Sequence, residues 1–176
     1  MEKKKEEPAE KSAAPSNVTV MLRTGAWKTV FTGDTGEILL AEALNATVTA
    51  TGFHHALAGY LFTPRRVCLV LYLEEKKVQS FLHLFYDEVK KLLRQYEERV
   101  PQEKLSALYE TQLFHPLTSA NPWLTELLLG KKVRLPYENP QLTRLKERLR
   151  NYRFCSALDY TGAKSPVLVA LQKQHH

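Results

Sequence analysis

The stretch ALAGYLFTPRRVCLVLYL, residues 56–73, decides the fold of this chain. Its first part, up to residue 63, and its second part, from residue 66, are rich in aliphatic and aromatic side chains, and Pro64-Arg65 separates them. This pattern predicts two strands, over residues 53–63 and 66–73, joined by a tight turn. The second strand is apolar almost without interruption, which is typical of a central strand because both of its faces are buried.

Apolar side chains at helical spacing predict a long amphipathic helix over residues 75–99. Its apolar stripe consists of Val78, Phe81, Leu82, Phe85, Val89, Leu92, Leu93 and Tyr96. Upstream, alternation over residues 18–23 predicts a strand, and Asp34 or Thr35 is expected to cap a helix that ends by Gly52. Strand, helix, strand, strand, helix is the order in which a ferredoxin-like split βαβ sandwich begins. The sequence therefore predicts an α+β domain of this kind, with an antiparallel sheet and helices on one face.

The periodic pattern is weaker after Pro101. Asn-Pro pairs at residues 121–122 and 139–140 are typical of helix starts, since Asn caps the helix and Pro suits its first turn. They predict a short helix that ends at Gly130 and a second helix over residues 141–151. Residues 167–171 have the composition of a last strand.

The charged N-terminal segment is predicted to differ from the rest of the chain. Residues 1–17 contain four Lys, four Glu and no large apolar residue beyond Met1, so they cannot offset the cost of backbone ordering. We expect a disordered tail over residues 1–17 and a folded domain over residues 18–174. Because the charges of the tail cancel, the formal net charge of +6 belongs to the residues after it. Such a basic body favours polyanionic partners.

Cysteine usage and hydropathy bear on the compartment. Cys68 and Cys155 are the only cysteines and lie far apart in the sequence, which excludes a disulfide framework and suits a reducing compartment. No apolar run approaches the ~18 residues that suggest a spanning helix, and the charged N-terminus is not followed by an apolar stretch. We expect a cytoplasmic protein with no membrane partner.

Basic side chains cluster along the second half of the chain and at the turn after residue 63. The predicted DNA-binding residues are Arg65, Arg66, Lys131, Lys132, Arg134, Arg144, Lys146, Arg148, Arg150 and Arg153. Tyr152 and Phe154 lie among the last of them, and basic side chains mixed with aromatic ones suit phosphate contact combined with base stacking on single strands or hairpin tips. Charge alone leaves a solvated helix face as the alternative.

The histidines do not form a predicted metal site. His54 and His55 are expected at the start of a strand, where adjacent side chains face opposite sides. His83 falls in the long helix and His115 in a loop. Neither a Cys, His and Asp cluster at metal spacing nor a glycine-rich phosphate loop is present, so no cofactor is predicted.

Three stretches resemble, in order, the single-tyrosine HUH transposases, especially the REP-associated tyrosine transposases. They are MLRTG (residues 21–25) with Val30-Phe31, GYLFTPRRVCLVL (residues 59–71) and NYRFCSA (residues 151–157). The resemblance covers roughly residues 18–160 as a pattern of elements rather than as close motif matches. It implies a homodimer that binds hairpin or palindromic single-stranded DNA and acts in DNA transposition.

Arg66 and Cys68 stand where the family has the two histidines of its metal motif. There the histidines hold a divalent metal that polarises the scissile phosphate, while a tyrosine attacks it. A guanidinium is not deprotonated in proteins and repels a cation, and one thiol does not replace the oxygen and imidazole ligands of such metals. Tyr137, in PYENP (residues 136–140), is similar in position to the nucleophile, although the spacing is two residues short and Asn139-Pro140 also serves as a helix cap.

We therefore expect a transposase-like DNA-binding domain that is catalytically inactive and binds no metal. Two alternatives remain open. One is an active, metal-dependent DNA-cleaving transposase that uses Tyr137 in an atypical site. The other is a protein-interaction module that retains only the fold.

Overall fold

A computed structural model describes residues 14–50, 52–118 and 121–172. The chain forms, in order, β1 (Ser16–Thr24), α1 (Thr35–Thr49), β2 (Leu57–Phe62), β3 (Arg66–Leu73), α2 (Val78–Gln95), α3 (Leu105–Leu108), β4 (Phe114–Leu117), α4 (Pro122–Leu128), α5 (Pro140–Asn151) and α6 (Ala157–Tyr160). Short 3-10 helices span Ala26–Val30, Glu75–Lys77, Glu97–Arg99 and Gln102–Lys104.

The four strands form one antiparallel sheet in the order β2-β3-β1-β4. Helix α1 connects β1 to β2, and α2 lies on the way from β3 to β4, so each crossover passes over a neighbouring strand. This order of strands and crossovers is the ferredoxin-like split βαβ arrangement. The predicted α+β fold with an antiparallel sheet is confirmed, but helices cover both faces of the sheet and not one face only.

The first face of the sheet is covered by α1 and α2, which pack side by side. Alternate residues of β1, including Leu22, point to this face because successive side chains of a strand point to opposite sides. Phe81 and Phe85 from the predicted apolar stripe of α2 are fully buried. The ring of Phe85 stacks on Phe114 of β4, with 5.5 Å between the ring centroids, so the long helix fixes the edge strand.

The second face of the sheet is covered by the C-terminal half of the chain. The strands contribute Met21, Cys68 and Val70 to an apolar cluster on this face. The cluster also contains Leu124 and Leu128 of α4, Leu149 of α5, and Cys155. We call the side of the sheet that carries this cluster the second face.

Ser156 ties this second layer to the sheet. Its hydroxyl donates a hydrogen bond to the Leu128 carbonyl (2.7 Å) and accepts one from the Tyr60 amide (2.9 Å). The approach is close enough that a Cβ on Gly59 would lie 2.9 Å from the same Leu128 oxygen. The end of α4, the middle of β2 and the segment after α5 therefore meet at one buried point.

The structure shifts two predicted boundaries. Strand β1 begins at Ser16, so the last two residues of the predicted tail, Ser16 and Asn17, pair with β3; residues 1–13 lie outside the described part of the chain. The predicted strand over residues 53–63 begins only at Leu57. His55 before it has a φ of 65°, a turn conformation, so the prediction that His54 and His55 open the strand is wrong.

The last strand of the sheet is not the one that the composition favoured. Residues 167–171 are not a strand, although the Ala170 amide donates a hydrogen bond to the Leu57 carbonyl (2.8 Å) at the edge of β2. The fourth strand is Phe114–Leu117, so placing His115 in a loop was also wrong. The sequence does not predict this strand because Pro116 interrupts it, and Pro inside a short apolar run indicates an edge strand or no strand.

Candidate nucleic-acid interface

Five of the predicted DNA-binding side chains line one cleft between α4, α5 and α6. They are Lys131, Lys132, Arg134, Lys146 and Arg150, and the cleft has a volume of about 460 Å³. We call it the basic cleft. Leu127, Leu149 and Tyr160 supply apolar surface to the same cleft, and no carboxylate of a described residue lines it. The lining combines cationic side chains, which we call the rim, with apolar side chains, which we call the floor.

Local sequence explains why the chain turns here. Gly130 has a φ of 73°, in the left-handed region, and a Cβ at this position would collide with the side chain of Tyr160. Only glycine allows α4 to end against α6 in this way. The following residues run back across α5, where the Lys146 ammonium group donates a hydrogen bond to the Val133 carbonyl (2.7 Å). The rim of the cleft is thus held at both ends.

The five cations of the basic cleft differ in their partners. Lys131 forms an ion pair with Glu126 (3.5 Å), and the Lys146 ammonium group already donates a hydrogen bond to the Val133 carbonyl. Lys132, Arg134 and Arg150 are exposed and have no ion pair among the residues that the structure describes. These three side chains are free to contact an anion.

The other predicted residues lie outside the cleft. Arg144 and Arg148 are exposed on α5, whose buried Leu142 and Leu149 show the helix register that the sequence indicates. Arg153 pairs with Asp34 (3.0 Å) and also lies over the ring of Phe154, 5.5 Å from its centroid.

Arg65 and Arg66 are exposed at the turn between β2 and β3. At the positions that resemble the metal motif, the Arg66 side chain reaches solvent, whereas Cys68 is buried. Burial, and then the neighbouring Cys155, raise the pKa of the Cys68 thiol to about 12. Tyr137 is 63% exposed in the connection between α4 and α5. In the described ranges, no three His, Cys, Asp or Glu side chains are placed to hold a metal ion.

Strand pairing reveals a second group of basic side chains that the sequence did not indicate. Arg66 on β3 lies directly opposite Arg23 on β1, and Arg23 lies directly opposite His115 on β4. We call Arg66, Arg23 and His115 the sheet-face row. Only the register of β4 brings His115 to this place, so no local signal in the sequence identifies the row.

None of the helices in the described residues is long and apolar enough to cross a membrane. No protein-family model, curated protein or solved structure matches the chain significantly. The resemblance to HUH transposases therefore depends on the sequence motifs alone and stays a prediction.

Proposed function

We propose that the protein binds single-stranded or hairpin DNA in the basic cleft and does not cleave it. The observation that carries this proposal is the meeting of five cationic side chains around one apolar floor, where Glu126 beside Lys131 is the one carboxylate paired with any of the five among the described residues. Neutralising phosphates releases counterions, which supplies most of the affinity for nucleic acid. Lys132, Arg134 and Arg150 are the side chains that we expect to contact phosphates.

The apolar floor favours unpaired nucleotides over a duplex. A duplex presents phosphates to such a surface and keeps its bases stacked inside, whereas an unpaired base can enter a cleft and lie on apolar or aromatic side chains. Base stacking on an aromatic side chain contributes about 1–3 kcal/mol. Tyr160 is the aromatic side chain of the floor, and its hydroxyl is anchored by donation to the Ala58 carbonyl (2.7 Å).

The residues at the metal-motif positions support binding without cleavage. Phosphoryl transfer depends on charge stabilisation at the scissile phosphate, and neither Arg66 nor the buried Cys68 thiol is a ligand for a hard divalent metal. The HUH resemblance also leads us to propose that the protein is a homodimer. Sedimentation equilibrium would test this by measuring the mass of the particle in solution.

Fluorescence anisotropy with labelled hairpin, linear single-stranded and duplex DNA of equal length tests the proposal. We expect tighter binding of the first two, with affinity that falls steeply as salt rises. The Lys132→Gln/Arg150→Gln variant should bind more weakly, and its slope of log K against log salt should be smaller by about one to two units because two phosphate contacts are lost.

The matched control is Lys90→Gln/Arg94→Gln, which removes the same charge from exposed positions of α2 on the other layer. It should keep the slope of the parent. If both variants behave alike, the basic cleft is not the interface. If the parent shows no salt-sensitive binding, the protein-interaction alternative is correct. A denaturing gel with Mg²⁺ or Mn²⁺ checks cleavage, and a cut strand would support the active-transposase alternative.

A further inference from the structure

The sheet-face row crosses three neighbouring strands on one side of the sheet. Directly opposite residues of antiparallel strands point to the same side, with Cβ atoms about 5 Å apart. Two residues along the strands, Met21, Cys68 and Leu117 belong to the apolar cluster of the second face. The row therefore points to the second face as well.

The helical layer ends before it reaches the row. Met21 and Cys68 are buried beneath the C-terminal half of the chain, whereas Arg23 and Arg66 are exposed and His115 is half-buried. The three side chains thus reach solvent at the border of a buried apolar cluster. A ligand can approach them from the open side of the sheet.

The charge of the row is not compensated within the described residues. Like charges directly opposite each other on paired strands are destabilising, and neither guanidinium has a carboxylate within 4.0 Å. Two acidic residues of the neighbouring helix start already have partners: Asp34 pairs with Arg153 (3.0 Å), and Glu37 pairs with Lys28 (2.7 Å). The two arginines at opposed positions therefore lack a neutralising partner among the described residues, and a bound anion would compensate their charge.

We propose that the sheet-face row is a binding site for a phosphate group, separate from the basic cleft. Each guanidinium presents a planar fork of N–H donors that matches two phosphate oxygens, and the imidazole of His115 adds a further N–H donor. The phosphate belongs either to a nucleic acid backbone or to a free phosphate compound. The site does not depend on the proposed role of the basic cleft.

NMR titration of the full chain with pyrophosphate, and separately with a short oligothymidylate, tests the site. We expect the ring signals of His115 and the Nε–H signals of Arg23 and Arg66 to shift with at least one probe. Shifts with pyrophosphate alone assign a free phosphate compound, and shifts with the oligonucleotide assign a backbone phosphate. No shift with either probe overturns the proposal.

The Arg23→Gln/Arg66→Gln variant separates a binding role from a structural one. Its affinity for whichever probe shifts the signals of the row should fall about tenfold or more, since hydrogen bonds from charged donors are lost. Its melting temperature should equal or exceed that of the parent, because the like-charge contact is gone. Arg23→Lys/Arg66→Lys keeps the charges without the forks and should bind with intermediate affinity, which also covers the case in which the Gln variant does not fold.

Two further variants locate the effect. Lys90→Gln/Arg94→Gln should bind the probe as the parent does. Lys132→Gln/Arg150→Gln should still show the shifts at the row, so a failure of the basic cleft and a failure of this site can be told apart. Unchanged affinity in the Gln variant of the row would overturn the proposal.

Discussion

The first half of the chain, from β1 to α2, and the second half, which contains α4 to α6, differ in how their elements are stabilised. Helices α1 and α2 of the first half have 15 and 18 residues, long enough for an apolar face to repeat over several turns. In the second half α5 has 12 residues, and α4 and α6 have seven and four. Helices this short are marginal by themselves, so their stability comes from contacts with the rest of the fold.

Besides the apolar cluster of the second face, those contacts include specific hydrogen bonds to the first half. Ser156 binds the amide of Tyr60, and the Phe62 amide donates to the Phe154 carbonyl (2.9 Å). Tyr160 binds the Ala58 carbonyl. The first half is therefore the framework, and the second half, which carries the basic cleft, is held on it by the apolar cluster of the second face and by these hydrogen bonds. Mutations in the two halves should accordingly have different consequences.

The largest expected effect is a core deletion in the framework. Phe85→Ala should lower the free energy of unfolding by about 3–5 kcal/mol, because a fully buried ring is replaced by a cavity. Urea unfolding followed by circular dichroism measures the change. Ile38→Ala on α1, where the side chain is 36% exposed, is the control and should cost far less. Similar losses in both variants would contradict the view of α2 as the central packing helix.

The amphipathic pattern of residues 75–99 was enough to identify the framework. Phe81 and Phe85 lie on its stripe and are buried as expected, because helix period and burial are properties of one local segment. The two Asn caps are equally local: Asn121 accepts from the Trp123 amide (2.9 Å) and Asn139 from the Gln141 amide (3.0 Å).

Features that depend on pairing between distant residues could not be predicted in this way. The buried ion pair of Lys28 with Glu37 forms because a 3-10 turn brings the lysine over the start of α1, where its Nζ also donates to the Pro64 carbonyl (3.1 Å). The basic residues were found as a cluster of charge, yet their division between cleft, helix surface and sheet depends on the tertiary fold. Arg153, a predicted DNA-binding residue, forms an ion pair with Asp34 that the sequence does not indicate.

A smaller effect is expected from the link between the halves. Ser156→Ala should cost about 2–4 kcal/mol, because it leaves the Tyr60 amide and the Leu128 carbonyl buried without a partner. The exposed Ser106→Ala is the control and should be neutral.

Thiol labelling at pH 8 shows whether the second half opens separately from the first in this variant, because both thiols lie in the cluster that joins them. Burial raises the pKa of Cys68 to about 12 and that of Cys155 to about 11, so the folded protein holds almost no thiolate. Labelling then reports molecules whose second layer has opened, where both thiols regain ordinary pKa values. The thiols of Ser156→Ala should be labelled faster than those of the parent. The increase in rate should exceed the one expected from the loss in free energy of global unfolding measured with urea. Equal labelling and unfolding free energies would show that the halves open only together.

The smallest expected effect concerns Tyr137, which lies in the second half without being one of its links. Tyr137→Phe should change the free energy of unfolding by less than ~0.5 kcal/mol, since the side chain is 63% exposed. Tyr160→Phe makes the same chemical change at a link, where the hydroxyl donates to Ala58 and accepts from the Gln172 amide (3.1 Å), and should cost about 1–3 kcal/mol. DNA affinity in the basic cleft should be unchanged in Tyr137→Phe, and neither it nor the parent should form a covalent adduct with labelled single-stranded DNA in the presence of Mn²⁺. An adduct that the parent forms and Tyr137→Phe does not form would identify this tyrosine as a nucleophile. The substitution removes only one exposed hydroxyl, so loss of the adduct would follow from loss of the attacking oxygen.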